Sequence, residues 1–165
     1  MTPQEFTKEY YPFALESEKE TGISALAIMA QAALETGWGK TIVGNMIFGV
    51  KATSSTPDSK KQLVTTTEYH STNTVKYPVI ISITKQSNGK YKYKVKDYFM
   101  KYDSPAESFK DHSNFFIRNS RYKKALEVKS DANKFIDEIA KAGYATDPNY
   151  ATSLKSIIKR IQQYV

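Results

Sequence analysis

Residues Ala30–Lys51 read AQAALETGWGKTIVGNMIFGVK, and the fold turns on how the first part of that stretch ends. Small apolar residues run at helical density up to Glu35. The run stops at Thr36-Gly37, with Trp38-Gly39-Lys40 directly behind it. Glu35 is the only carboxylate between Glu20 and Asp58 and closes the least polar run of the chain. A carboxyl group there is partly desolvated, which disfavours its charged form. A Glu kept protonated near neutral pH can act as a general acid. The plainer alternative is a solvated side chain in a last helical turn, where most Glu residues are found. Spacing alone leaves both readings open.

Outward from this stretch, the totals narrow the chemistry. The chain has 165 residues, 40% hydrophobic and 25% charged, which suits a single domain, 1–165, with one core. Its 12 Tyr and 8 Phe suggest half-wet surfaces such as a groove. The net charge is +7, with a pI near 9.3, which favours polyanions without choosing among them. There is no Cys, so thiolate nucleophiles and Cys-ligated zinc are excluded. The two His, His70 and His112, have no metal-binding spacing, and no Ser sits in a nucleophile elbow. No metal or cofactor is expected. Carboxylate chemistry remains for hydrolysis. The start, MTPQEFTKEYYPF, lacks a signal-peptide core, and no run approaches the roughly 18 apolar residues of a membrane span. The expectation is a soluble monomer.

In chain order, Thr2-Pro3-Gln4-Glu5 reads as a capped helix start. Pro12 predicts a kink or a late start in that helix, and Thr21-Gly22 ends it. Ser24 is the expected cap of the central helix, Ala25–Glu35. Ser54–Lys61 reads as an exposed loop. Strand-like runs follow at Leu63–His70 and Val75–Thr84, then the hairpin turn Ser87-Asn88-Gly89-Lys90. Tyr91–Lys96 alternates strictly, placing Tyr91, Tyr93 and Val95 on one face and Lys92, Lys94 and Lys96 on the other. A nucleic-acid platform would want rings and lysines together, so no nucleic-acid partner is expected. The lysines are read as solvated and as guards against edge pairing. Ser104-Pro105-Ala106-Glu107 starts another helix, and Lys123–Val128 a short one. Asp131 begins an amphipathic helix that closes at Gly143. Asp147-Pro148 starts the last helix, with Tyr150, Leu154, Ile157, Ile158 and Ile161 as its face. Helices, then a small antiparallel β-lobe at about 62–102, then helices, make the fold class α+β.

A glycosidic acid commonly works with a second carboxylate, about 5 Å away for retention and up to roughly 9.5 Å for inversion. Glu68, on the predicted hairpin, is the candidate; an exposed strand charge is the alternative. Trp38, the only Trp, reads first as a core residue.

ALETGWGK followed by Gly44-Asn45-Met46-Ile47-Phe48-Gly49-Val50-Lys51 resembles the signature of glycoside hydrolase family 73, the peptidoglycan-hydrolysing N-acetylglucosaminidases. The family includes the flagellar muramidase domain, autolysins and phage lysins. Tyr102-Asp103-Ser104 with Glu107-Ser108, Arg121-Tyr122, and Ala142-Gly143-Tyr144-Ala145-Thr146-Asp147-Pro148-Asn149-Tyr150 resemble its later motifs in order. The resemblance covers nearly the whole chain. It implies a lysozyme-like fold, with a helical body and a β-lobe. It implies Glu35 as general acid, Glu68 as second carboxylate and Tyr144 near the cleavage point. Trp38, Asn45, Phe48, Asp147 and Tyr150 match motif positions implied to contact substrate or support the groove. The implied partner is the glycan strand of bacterial peptidoglycan, cleaved at the β-1,4 bond between N-acetylglucosamine and N-acetylmuramic acid, with no cofactor. Either Glu68 activates water or the substrate's acetamido group attacks.

The implied place of action is the cell wall, periplasmic or extracellular, reached by phage-type release or delivery by an apparatus. The rod-binding domain of flagellar members and the wall-binding repeats of autolysins are not seen. The rival readings are a muramidase or lytic transglycosylase, and a non-catalytic basic glycan-binding module.

Overall fold

The alanines of the central helix account for the helical part of the fold. In the computed structural model, which describes residues 1–165, this helix (α2, Ala25–Thr36) has Ala25, Ala27, Ala30, Ala32 and Ala33 all fully buried. Side chains this small let α1 (Pro3–Thr21), α5 (Ala132–Lys141) and α6 (Tyr150–Gln162) pack against it. Ser24 caps α2 through the Ala27 N–H, and Gly37 ends it at φ 57°. The remaining helices are α3 (Pro105–Arg118), capped by Ser104, and the short α4 (Lys123–Leu126). Together with residues 1–48, residues 102–165 form one compact unit, whose core includes Phe6, Ile28, Met29, Phe109, Phe116, Phe135 and Leu154.

The second unit is Gly49–Lys101. It holds a three-stranded antiparallel sheet of β1 (Lys61–His70), β2 (Val79–Lys85) and β3 (Tyr91–Met100), in the order β1-β3-β2. The alternation of β3 behaves as expected: Tyr93 and Val95 are buried, while Lys92, Lys94 and Lys96 are exposed. The Tyr93 hydroxyl donates to the Thr72 carbonyl at 2.7 Å, so the one polar atom of that ring is satisfied.

Several expectations are corrected. The lysines of β3 guard no edge, because β3 is the central strand and β1 and β2 are the edges. The α1 helix starts at Pro3, not late, and continues through Pro12. Pro12 and Lys8 are both on the exposed side, where water can serve the Lys8 carbonyl that the proline leaves unbonded. Strand β2 begins at Val79 rather than Val75, because Pro78 has no N–H for a ladder and the Val75 N–H bonds the Tyr93 hydroxyl at 3.3 Å. The last helix begins at Tyr150. Asp147 instead takes the Asn149 N–H on its Oδ1 at 2.8 Å, which makes Asp147-Pro148 a turn. The loop at Ser54–Lys61 contains a 3-10 turn, Asp58–Lys60. No helix is long and apolar enough to cross a membrane.

Candidate active site

Glu35 sits in the last turn of α2, and the chain behind it is held in an unusual way. Gly37, Trp38 and Gly39 are successive residues in the left-handed region, with φ of 57°, 60° and 89°. For a bulky residue such as Trp38 this costs about 1–2 kcal/mol. The stretch is over-determined by bonds. The Trp38 N–H bonds the Ala33 carbonyl at 2.9 Å, and the Gly39 N–H bonds Thr36 Oγ1, also at 2.9 Å. A Cβ on Gly39 would meet Met1 at 3.0 Å and the Phe6 ring at 3.1 Å, so only glycine fits there. Backbone strain of this kind is characteristic of functional sites.

The Glu35 side chain makes no ion pair and no hydrogen bond. Its residue is exposed, yet protein packs closely enough around the carboxyl that burial raises its pKa. Tyr144 and Tyr150 stand near it. Burial, with the Glu35 charge contributing, raises the Tyr150 phenol to about 12 and the Tyr144 phenol further still. Their rings stack at 5.6 Å and 25°. The Tyr144 ring also packs on Phe116 and Tyr122, and its hydroxyl has no hydrogen-bond partner. Tyr150 is 8% exposed and accepts a bond from Gln31 Nε2 at 2.9 Å.

Two buried polar residues of this region were not singled out from the sequence. Gln31 and His112 are both buried, and His112 Nε2 lies 2.9 Å from Gln31 Oε1. Burial pushes the His112 pKa down to about 3, so the ring is neutral. The available signal was Gln31 itself, the one polar side chain of α2 before Glu35 and about one turn from it on the same face.

The other motif residues hold the helical unit together. Phe48 lies flat on His112, with ring centroids 3.8 Å apart, and meets Phe109 edge-on at 5.3 Å. Asn45, at φ 55°, bonds the Tyr102 carbonyl through Nδ2 at 3.0 Å. Trp38 is half-buried, edge-on to Phe6 at 5.8 Å, with the Arg160 guanidinium 5.6 Å from its ring centre. Asp147 is exposed and shapes the turn before α6.

Glu68 lies in the sheet unit, on β1, opposite Tyr93 of β3. Its Oε1 is 2.9 Å from Lys51 Nζ, and Asp97 is 3.6 Å from the same ammonium. Burial alone would lower the Lys51 pKa, but the hydrogen bond and charge of Glu68, with Asp97, outweigh it and the net shift is upward. Tyr77 is raised by burial and by the Glu68 charge, and its hydroxyl bonds His70 Nε2. No group of three or more His, Cys, Asp and Glu side chains is gathered as a metal would need.

The family model described as mannosyl-glycoprotein endo-β-N-acetylglucosaminidase matches residues 11–163. Among curated proteins, the peptidoglycan hydrolase FlgJ of Pseudomonas aeruginosa is 34% identical across 97% of this chain and 37% of its own length. The chain thus spans about a third of that relative. Among solved structures, a C-terminally truncated glycoside hydrolase domain of FlgJ from Salmonella typhimurium superposes with a TM-score of 0.74. It is 32% identical, with 98% of this chain and 99% of that one covered. A peptidoglycan hydrolase mutant from Sphingomonas sp. A1 gives a TM-score of 0.71 at 29% identity, covering 98% of this chain and 97% of that one. The α+β, lysozyme-like reading agrees with these neighbours. With the matched residues reaching from the first helix to the last, the chain belongs to the glucosaminidase family of glycoside hydrolases, family 73.

Proposed function

We propose that this chain hydrolyses peptidoglycan at the β-1,4 bond between N-acetylglucosamine and N-acetylmuramic acid, with Glu35 as the general acid. The observation that carries the reading is the Glu35 carboxyl itself: no cation beside it, and burial favouring its protonated form. Protonated Glu35 gives its proton to the glycosidic oxygen as the bond to the sugar C1 breaks. The electron deficiency at C1 is met by the acetamido oxygen of the same sugar or by water directed by Glu68. In the first route the ionised Glu35 then takes a proton from the water that opens the intermediate. In the second, Glu68 takes the water's proton. Tyr144, with a free hydroxyl beside Glu35, is positioned to hydrogen-bond the reacting sugar. Tyr150, Trp38, Asn45, Phe48 and Asp147 support the site, in keeping with their packing. The substrate is proposed from the relatives named as peptidoglycan hydrolases. The place of action is accordingly the wall, periplasmic or extracellular, and the acting form a monomer.

The test is digestion of purified peptidoglycan by the protein and by Glu35→Gln, followed by borohydride reduction and mass spectrometry. Reduced N-acetylglucosamine ends, absent with the variant, are the expected result. Reduced muramic ends or anhydro ends would move the cleaved bond or the reaction type. No products from folded protein would leave a glycan-binding module.

A further inference from the structure

We propose that Gln31 is a positioning residue, which fixes Tyr150 as a hydrogen-bond donor for the Glu35 carboxylate and so eases departure of the Glu35 proton. The proposal rests on the reading of Glu35 as the acid.

Gln31 precedes Glu35 by one helical turn, so both side chains leave α2 on one face. Gln31 is 3% exposed and uses both ends of its amide. Its Oε1 can only accept, so the neutral His112 must carry its proton on Nε2 and donate there. Its Nε2 donates to the Tyr150 oxygen. That leaves the Tyr150 proton directed away from Gln31, and no protein acceptor takes it. The three groups form a chain of one polarity, from His112 through Gln31 to Tyr150, ending with a free donor. Around that end the titratable groups are Tyr144, Tyr122, whose hydroxyl accepts from Arg121 at 2.7 Å, His112 and Glu35. Glu35 is the one carboxylate among them. Before proton transfer its carboxyl is neutral and needs no donor. Afterwards the carboxylate is the strongest acceptor in the site, and the phenol, bonded to Gln31 one turn before Glu35, is a donor with no acceptor of its own.

A purely architectural role is the competing explanation. It has no need of this chemistry, because a buried polar pair can be replaced by apolar groups of like shape at little cost. A Gln and a His placed between the alanines of α2 and Phe48 impose a direction on one hydroxyl, which an apolar contact cannot do.

The test uses Gln31→Met, which keeps length and lacks both hydrogen-bonding ends, alongside Tyr150→Phe and the double variant. The readouts are the pH profile of kcat/KM on purified peptidoglycan and the Glu35 pKa from carbon-13 NMR titration. Loss of the donor destabilises the carboxylate, so the Glu35 pKa and the alkaline limb should rise by about one unit in both single variants, and kcat should fall roughly tenfold, as for loss of a bond to a charged group. KM should stay within about twofold, since the lost interaction belongs to the transition state. The double variant should add nothing further. A folded Gln31→Met with the parent's Glu35 pKa and kcat overturns the proposal. So does a variant that melts earlier with an unmoved alkaline limb. The NMR titration needs no turnover. If Glu35→Gln remains active the acid assignment fails, whereas an inactive Glu35→Gln with an unshifted Gln31→Met removes only the positioning claim.

Discussion

In the helical unit, Glu35 stands among phenols with no cation beside it. In the sheet unit, Glu68 is bonded to the Lys51 ammonium at 2.9 Å, and Asp97 shares that ammonium at 3.6 Å. One residue type is thus given opposite surroundings. Apolar crowding without a countercharge favours the neutral acid at Glu35, whereas the Glu68 carboxylate is engaged in an ion pair. The two glutamates are therefore not interchangeable: the one proposed as the acid has no ion pair, and the other is tied to a lysine.

The sharpest way to break that comparison is Glu35→Gln. It should lower glycan hydrolysis by roughly a thousandfold, within the range of general acid catalysis, and leave the melting temperature almost unchanged. Parent-like turnover would remove the assignment. Phe48→Ala acts on the floor of the same region, by emptying the stack on His112 and Phe109. It should cost about 3–5 kcal/mol in urea unfolding, with activity lost in step with folding. Loss of glycan affinity with stability intact would instead make Phe48 a contact residue.

Glu68→Gln should lower turnover by up to about a hundredfold if its carboxylate directs water, and by much less if the acetamido group attacks. Equal turnover to the parent would mean that another residue is the second participant. Lys51→Met leaves Glu68 and Asp97 without their shared cation, so the Glu68 side chain loses its anchor. Turnover on purified peptidoglycan should then fall, but by less than in Glu68→Gln. The melting temperature should change little, because Lys51 is about half exposed, at 49%, and such pairs are worth at most about 1 kcal/mol.

The smallest effect is on stability against pH. Glu35 has a raised pKa when folded, so its contribution is complete below the ordinary Glu range and is lost as pH rises through the raised value. Parent stability relative to Glu35→Gln should therefore decline between acid and neutral pH in denaturant titrations. A flat difference would mean that the carboxyl is as solvated as any surface Glu.

How much of this was legible in the chain depended on distance along it. Caps and breakers are local, so Thr2, Ser24, Gly22, Gly37 and Ser104 marked their helix ends. The inward face of β3 was legible for the same reason, since alternation needs no partner strand. Which strand lies in the centre is a matter of pairing between distant segments, and the lysines were misread on that account. The apolar setting of Glu35 was legible because it is carried by its own helix. The His112–Gln31 bond could not, because its partners are 81 residues apart and nothing near either announces the other. The start of α6 was misplaced because Asp147 has two uses for its side chain, a helix cap or a turn, and the turn prevails.

Strand β2 has one further consequence, for handling the protein. It is an edge strand with Val79, Ile80, Ile81 and Ile83 all exposed and one ladder of backbone groups left open. The register shift between Ile80 and Ser82 interrupts that edge at its most apolar point. Such an irregularity is how a sheet discourages a second molecule from extending it. This short segment is the open edge at which self-association in concentrated solution would begin, and a charge in place of Ile81 should lessen it.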